Sequence, residues 1–173
     1  MKRLLTLIAL AVPAMAQTSL HDSMVKHWKT SADFTMAVAQ KMPAESYSYA
    51  PVPEELSFGQ LVIQIAAANN GACAAASGLE RPATPPVVAS ALKAEAKDVP
   101  KDLATKFMAD SFDFCNKAVA SMTPEKFDAV VGTTRKMTGF EWLWAYFTHT
   151  AHHRGQAEVY LRMKGITPPT YVF

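Results

Sequence analysis

Apolar side chains recur at intervals of three and four along four stretches of the chain, with proline, glycine and hydroxyl residues between them. The first stretch predicts a helix from about Leu20 to Met42, anchored by Met24, Trp28, Phe34 and Val38 and stopped by Pro43. Tyr47 to Pro53 reads as extended, proline-punctuated chain. The second helix begins at Ser57-Phe58-Gly59-Gln60, where the serine accepts from an orphan backbone N–H and the glutamine reaches back, as in a capping box. It runs through Leu61, Ile63 and Ile65 to about Ala76, and Ser77-Gly78 ends it. The third spans about Lys101 to Ser121, with Leu103, Phe107, Phe112, Phe114 and Val119 on its apolar side. Thr123-Pro124-Glu125 opens a further turn or short helix, with proline at the first helical position. The fourth starts at a second capping box, Thr138 with Glu141, and continues to about Lys164, where Gly165 and then Pro168-Pro169 close it.

No stretch alternates convincingly enough to predict a strand. Residues 79–100, with Pro82, Pro85, Pro86 and Pro100, form a long connection with room for a short helix in Val87–Ala96. A connection of that length can carry the chain back to the end where the second helix began, leaving the second and third helices parallel. The predicted fold is all-α: a four-helix bundle with a long crossover between helices 2 and 3.

The first residues read as an export signal. Lys2 and Arg3 precede an apolar run, Leu4 to Val12, which is too short to anchor in a bilayer; Pro13 and the small-x-small Ala14-Met15-Ala16 follow. Cleavage after Ala16 is expected, dividing the chain into a signal peptide (1–16) and one domain (17–173), periplasmic or secreted, with no membrane span. Cleavage removes two of the 17 basic residues and none of the 15 acidic ones, so the mature chain is formally neutral. A phosphate-backbone binder needs a basic surface, and nucleic acid is therefore not an expected partner. Cys73 and Cys115 both lie toward the C-terminal ends of helices 2 and 3. Parallel helices in an oxidising compartment would bring them within disulfide reach; the other reading is two separate buried thiols.

The fourth helix carries the chemistry. His149 and His153 stand one turn apart on one face, and two imidazoles at that spacing can both ligate one ion. Trp142, Tyr146, Gln156 and Tyr160 share their sector, and Phe140, Leu143, Trp144, Phe147 and Ala151 occupy the opposite one, which predicts a central helix. Tyr146, Gln156 and Tyr160 are the candidates for orienting a substrate. His152 points about 100° away. Gly155 is expected to permit close approach of a neighbouring helix, and Arg154 to form an ion pair at the bundle end, with a substrate role as the second reading. Neither cysteine sits beside a base, and no nucleophile motif, phosphate loop or spaced acid–base pair identifies catalytic residues.

The segment His149-Thr150-Ala151-His152-His153-Arg154-Gly155-Gln156, continuing through Tyr160 to Pro168-Pro169, resembles the last helix of DinB/YfiT-like proteins. Ser57-Phe58-Gly59-Gln60-Leu61-Val62 to Ala66, with Asn69, resembles their second helix; Met42-Pro43 to Tyr49 and Ser111-Phe112-Asp113 also match. The resemblance implies a bundle holding one divalent metal ion on three histidines, zinc or nickel by the preference of imidazole donors. His149 and His153 match two of them. The third falls at Gln64, whose amide oxygen is a weaker and harder donor. His21 or His27 could stand in if the first helix brought them near. By the same resemblance the expected activity is that of a metal-dependent hydrolase or thiol-type transferase on a small molecule of unknown identity, in a monomer or homodimer. Export weighs against the thiol chemistry. The alternative is a non-catalytic, metal-depleted bundle that acts as a ligand-binding or stress-associated protein.

Overall fold

The computed structural model describes residues 19–93 and 97–173, so the expected signal peptide, Met1–Ala16, lies outside the described residues. The chain is mostly helical. Four long helices, α1 (Leu20–Lys41), α2 (Phe58–Ser77), α4 (Lys101–Ala120) and α6 (Gly139–Met163), are joined by segments that carry the short α3 (Pro86–Leu92) and α5 (Pro124–Asp128). The ends follow local chemistry. The Ser19 hydroxyl caps α1 by accepting from the Asp22 amide, and both predicted capping boxes form, Ser57 with Gln60 and Thr138 with Glu141. Gly78, at φ 75°, closes α2 in the left-handed conformation that glycine adopts without a Cβ penalty.

One small sheet was not expected: Val130–Val131 (β1) pairs antiparallel with Met137–Thr138 (β2). Strands of two residues are too short to show a period, so the sequence carries no sign of them.

α2 packs against α4 on one side and α6 on the other, and α1 packs against the same two helices from across the bundle. Side-chain ties fix the directions. Ser111 donates to the Ala66 carbonyl and Cys115 joins Cys73, so α2 and α4 run parallel, as the long crossover predicts. Thr150 donates to Asn69 Oδ1, while Tyr160 donates to the Leu56 carbonyl, so α6 runs antiparallel to α2. His21 near Ala120 and Lys101 on the Gln40 carbonyl make α1 antiparallel to α4. The order of directions is up, down, down, up.

The core has two centres. Phe34, Val38, Met42, Tyr47, Phe58, Ile63, Ile65 and Leu161 fill one end; Met24, Trp28, Val119, Leu143 and the cysteine pair fill the other. Cys73 and Cys115 are fully buried with Cα atoms 5.4 Å apart, and their bridge closes a loop of 42 residues. The chain-entropy value for such a loop is about 4 kcal/mol.

α6 is less central than its composition predicts. It buries Gly139, Leu143, Thr150, Arg154, Ala157, Tyr160 and Leu161, and leaves a half-exposed flank on each side. Ala151 is exposed, and so is Trp144 at 52%. The aromatic residues there stack on one another, Phe140 on Trp144 and Trp144 on Phe147, while Phe147 also meets Trp28 of α1 and Phe140 meets Phe127 of α5.

Candidate functional site

One flank of α6 carries the histidine pair. The two Nε2 atoms of His149 and His153 face each other at 3.1 Å. On the other side of its ring, His153 Nδ1 lies 2.7 Å from Gln156 Oε1, one turn further on. An Nδ1–H that donates to this amide oxygen leaves Nε2 as a lone-pair acceptor aimed at His149. His149 is half-buried, and its Nδ1 is buried without a partner. Burial, and then the neighbouring His153 and His152, lower its pKa from 6.5 to about 4. His149 is therefore a neutral imidazole at pH 7, the form that ligates metals. The Tyr146 ring lies 5.5 Å from that of His149 and stacks on Trp142. His152 is exposed, as its angular position predicts.

Gln64 stands on the facing helix. The Asn69–Thr150 and Leu56–Tyr160 ties set the antiparallel register of α2 and α6, and counting between them brings Gln64 level with His153. It is half-buried, and among the described residues no hydrogen bond joins it to either imidazole. Gln156 and Tyr160 border a cavity of about 360 Å³, completed by Pro51, Val52, Glu55, Val159 and Met163. The loop residues of this wall, Glu55 among them, escaped the sequence reading, because nothing local marks a loop that meets a helix a hundred residues later. Tyr160 spends its hydroxyl proton on the Leu56 carbonyl, at 3.1 Å, and so also ties that loop to α6.

Three expectations need correction. His21 and His27 do not approach the pair: His21 sits at the start of α1 beside the Ala120 carbonyl, and His27 stacks on Phe173 along the other flank of α6. Gly155 permits no close approach, since it is exposed and a Cβ there would meet open space. Arg154 is not at the bundle end. It is buried between α6 and α1, with Nη1 on the Ser31 and Thr35 hydroxyls and its guanidinium over the Phe34 ring.

The family model described as the DinB family matches residues 15–172. The chain belongs to the DinB family. A solved DinB-like protein from Bacillus subtilis superposes on this DinB chain with a TM-score of 0.68 at 22% identity, over 86% of this chain and 96% of that one. A DinB-like protein from Bacillus cereus gives 0.66 at 20%, over 87% and 97%. The mycothiol-dependent maleylpyruvate isomerase gives 0.62 at 14%, over 79% of this chain and 60% of that one. At such identities the likeness concerns the fold. None of the curated proteins matches the chain.

The ion implied by the DinB resemblance can be tested against these residues. Two nitrogens that each lie about 2.0–2.1 Å from one ion stand roughly 3 Å apart, the separation found between the Nε2 atoms. With Nδ1–H on both rings, two lone pairs would face each other, an arrangement that a cation relieves. Two of the three implied positions therefore fit. The third is an amide: among the described residues no group of three His, Cys, Asp or Glu converges on one point.

Proposed function

We propose that this DinB-family protein holds one divalent metal ion, zinc or nickel, on His149, His153 and Gln64, and acts as a metal-dependent hydrolase or thiol-type transferase on a small molecule. The Nε2 pair, 3.1 Å apart with His153 oriented by Gln156, carries the proposal. When bound, such an ion supplies a Lewis acid that lowers the pKa of a coordinated water or thiol. The chain's own part is to fix the His153 ring through Gln156, to keep His149 neutral by burial, and to seat the substrate against Tyr146, Gln156 and Tyr160. The cavity beyond Gln156 gives that substrate room. The isomerase among the structural neighbours supports thiol chemistry; the ordered charged, apolar and Ala14-Met15-Ala16 segments support a periplasmic or secreted protein, cleaved after Ala16.

A second reading rests on the same contact. If His149 carries its proton on Nε2, it donates to His153 and the pair is satisfied without an ion. The protein is then a non-catalytic bundle that binds a ligand. Calorimetric titration of zinc and of nickel into the metal-free protein separates the two. On the metal reading, wild type binds one ion, Gln64→His binds at least about tenfold more tightly because imidazole replaces an amide, and His153→Ala does not bind. Wild type and Gln64→His that bind equally poorly, with His153→Ala no different, would remove the site. Tight binding by Gln64→His alone would assign the natural protein to the second reading.

A further inference from the structure

On the buried line of α6, facing α1, Arg154 is 8% exposed. An arginine keeps its charge, and a buried charge is costly without a counter-charge. Its nearest carboxylate on α6, Glu158, one turn on, instead pairs with Arg162 at 3.8 Å. Among the described residues no carboxylate lies within ion-pair distance of Arg154. All its hydrogen bonds leave from Nη1: to Ser31 Oγ at 3.0 Å, Thr35 Oγ1 at 3.2 Å and the Ser31 carbonyl at 3.5 Å. Nη2 and Nε, with three N–H groups between them, have no partner among the described residues.

A cavity of about 80 Å³, well above the ~10–15 Å³ that one water requires, is lined in part by Arg154. α1 contributes His27, Thr30 and Ser31; α6 contributes Phe147, Ala151 and Arg154; the tail, Tyr171 to Phe173, forms the roof. The roof is held in place, Phe173 stacked on His27 at 4.3 Å and Tyr171 edge-on to Phe34 at 5.7 Å. His27 Nδ1 is buried without a partner. Ser31 Oγ accepts from Arg154, so its own proton is free to donate. Arg154 and Ser31 thus offer donors to a cavity whose remaining lining is largely apolar, the Thr30 hydroxyl being spent on the Lys26 carbonyl.

We propose that this cavity is an anion site: a small oxyanion, carboxylate or phosphate, sits against Arg154 Nη2 and Nε and accepts from the Ser31 hydroxyl beneath the C-terminal tail. Planar guanidinium donors suit both chemistries. The site is separate from the histidine pair and stands or falls independently of it.

Sodium phosphate and sodium acetate, titrated separately into the metal-free protein at fixed ionic strength, test it by calorimetry and by Tm. Saturable one-to-one binding with a rise in Tm is expected, and the salt that binds more tightly identifies the class of anion. Arg154→Met should raise the dissociation constant at least ~10-fold, the loss of a charge-assisted hydrogen bond. Ser31→Ala should weaken binding less, and Glu158→Gln should strengthen it by removing a negative charge one turn from Arg154. If Arg154→Met does not fold, the other two variants decide. Unchanged affinity in both, a response that never saturates, or equal Tm shifts in wild type and Arg154→Met would overturn the site.

Discussion

His149 shows how a single residue couples the site to stability. Its pKa is lowered to about 4 because burial disfavours the imidazolium. The unfolded chain takes up a proton near pH 6.5, and the native chain does so only near pH 4. Native stability is therefore full above about pH 6.5 and falls as the pH drops toward 4. Urea unfolding of the metal-free protein at intervals from pH 8 to pH 4 should show this decline, and His149→Gln should show less of it. Equal profiles would mean that His149 is solvated in the native state. The residue scale also marks the limit of sequence reading. The His149–His153 pair was legible because one turn of helix fixes both side chains. Arg154 was not, because its partners Ser31 and Thr35 lie more than a hundred positions away and nothing near Arg154 announces them.

At the scale of elements, helix ends were the most legible features, since a cap is settled within four residues. What the caps conceal is the company a helix keeps at its start. Gly139 opens α6 directly after the Thr138 cap, and its amide donates to the Ala129 carbonyl. A Cβ at Gly139 would fall 2.1 Å from the Lys126 carbonyl oxygen in α5. The clash is with backbone, so α5 must move or α6 must start late. Removing the cap alone with Thr138→Ala should cost about 1 kcal/mol. Gly139→Ala should cost clearly more in urea denaturation, and should also disturb the β1–β2 hairpin that leads into α6. Equal costs would show that α5 yields freely. The sequence presents Gly139 only as the second residue of a capping box; Thr123-Pro124-Glu125 announces α5 but not its contact with Gly139, and the hairpin is too short to leave a pattern.

For the whole molecule, the direction of the crossover was legible from its length, and the 5.4 Å approach of Cys73 to Cys115 agrees with parallel α2 and α4. Which helix would be enclosed was not legible, because α2 and α6 are both rich in apolar residues. Enclosure fell to α2, which buries fifteen of its twenty residues where α6 buries seven of twenty-five. The groove between them thus has one stiff wall and one yielding wall. Amide hydrogen exchange, followed by mass spectrometry, should be slowest in peptides from α2, where opening approaches global unfolding, and faster along α6. On the proposed metal reading, zinc or nickel added to the protein would have little left to slow in α2. Its imprint should be new protection concentrated in α6 around residues 149–156, so that the helix bearing the imidazoles, rather than the one bearing Gln64, adjusts to the size of the ion.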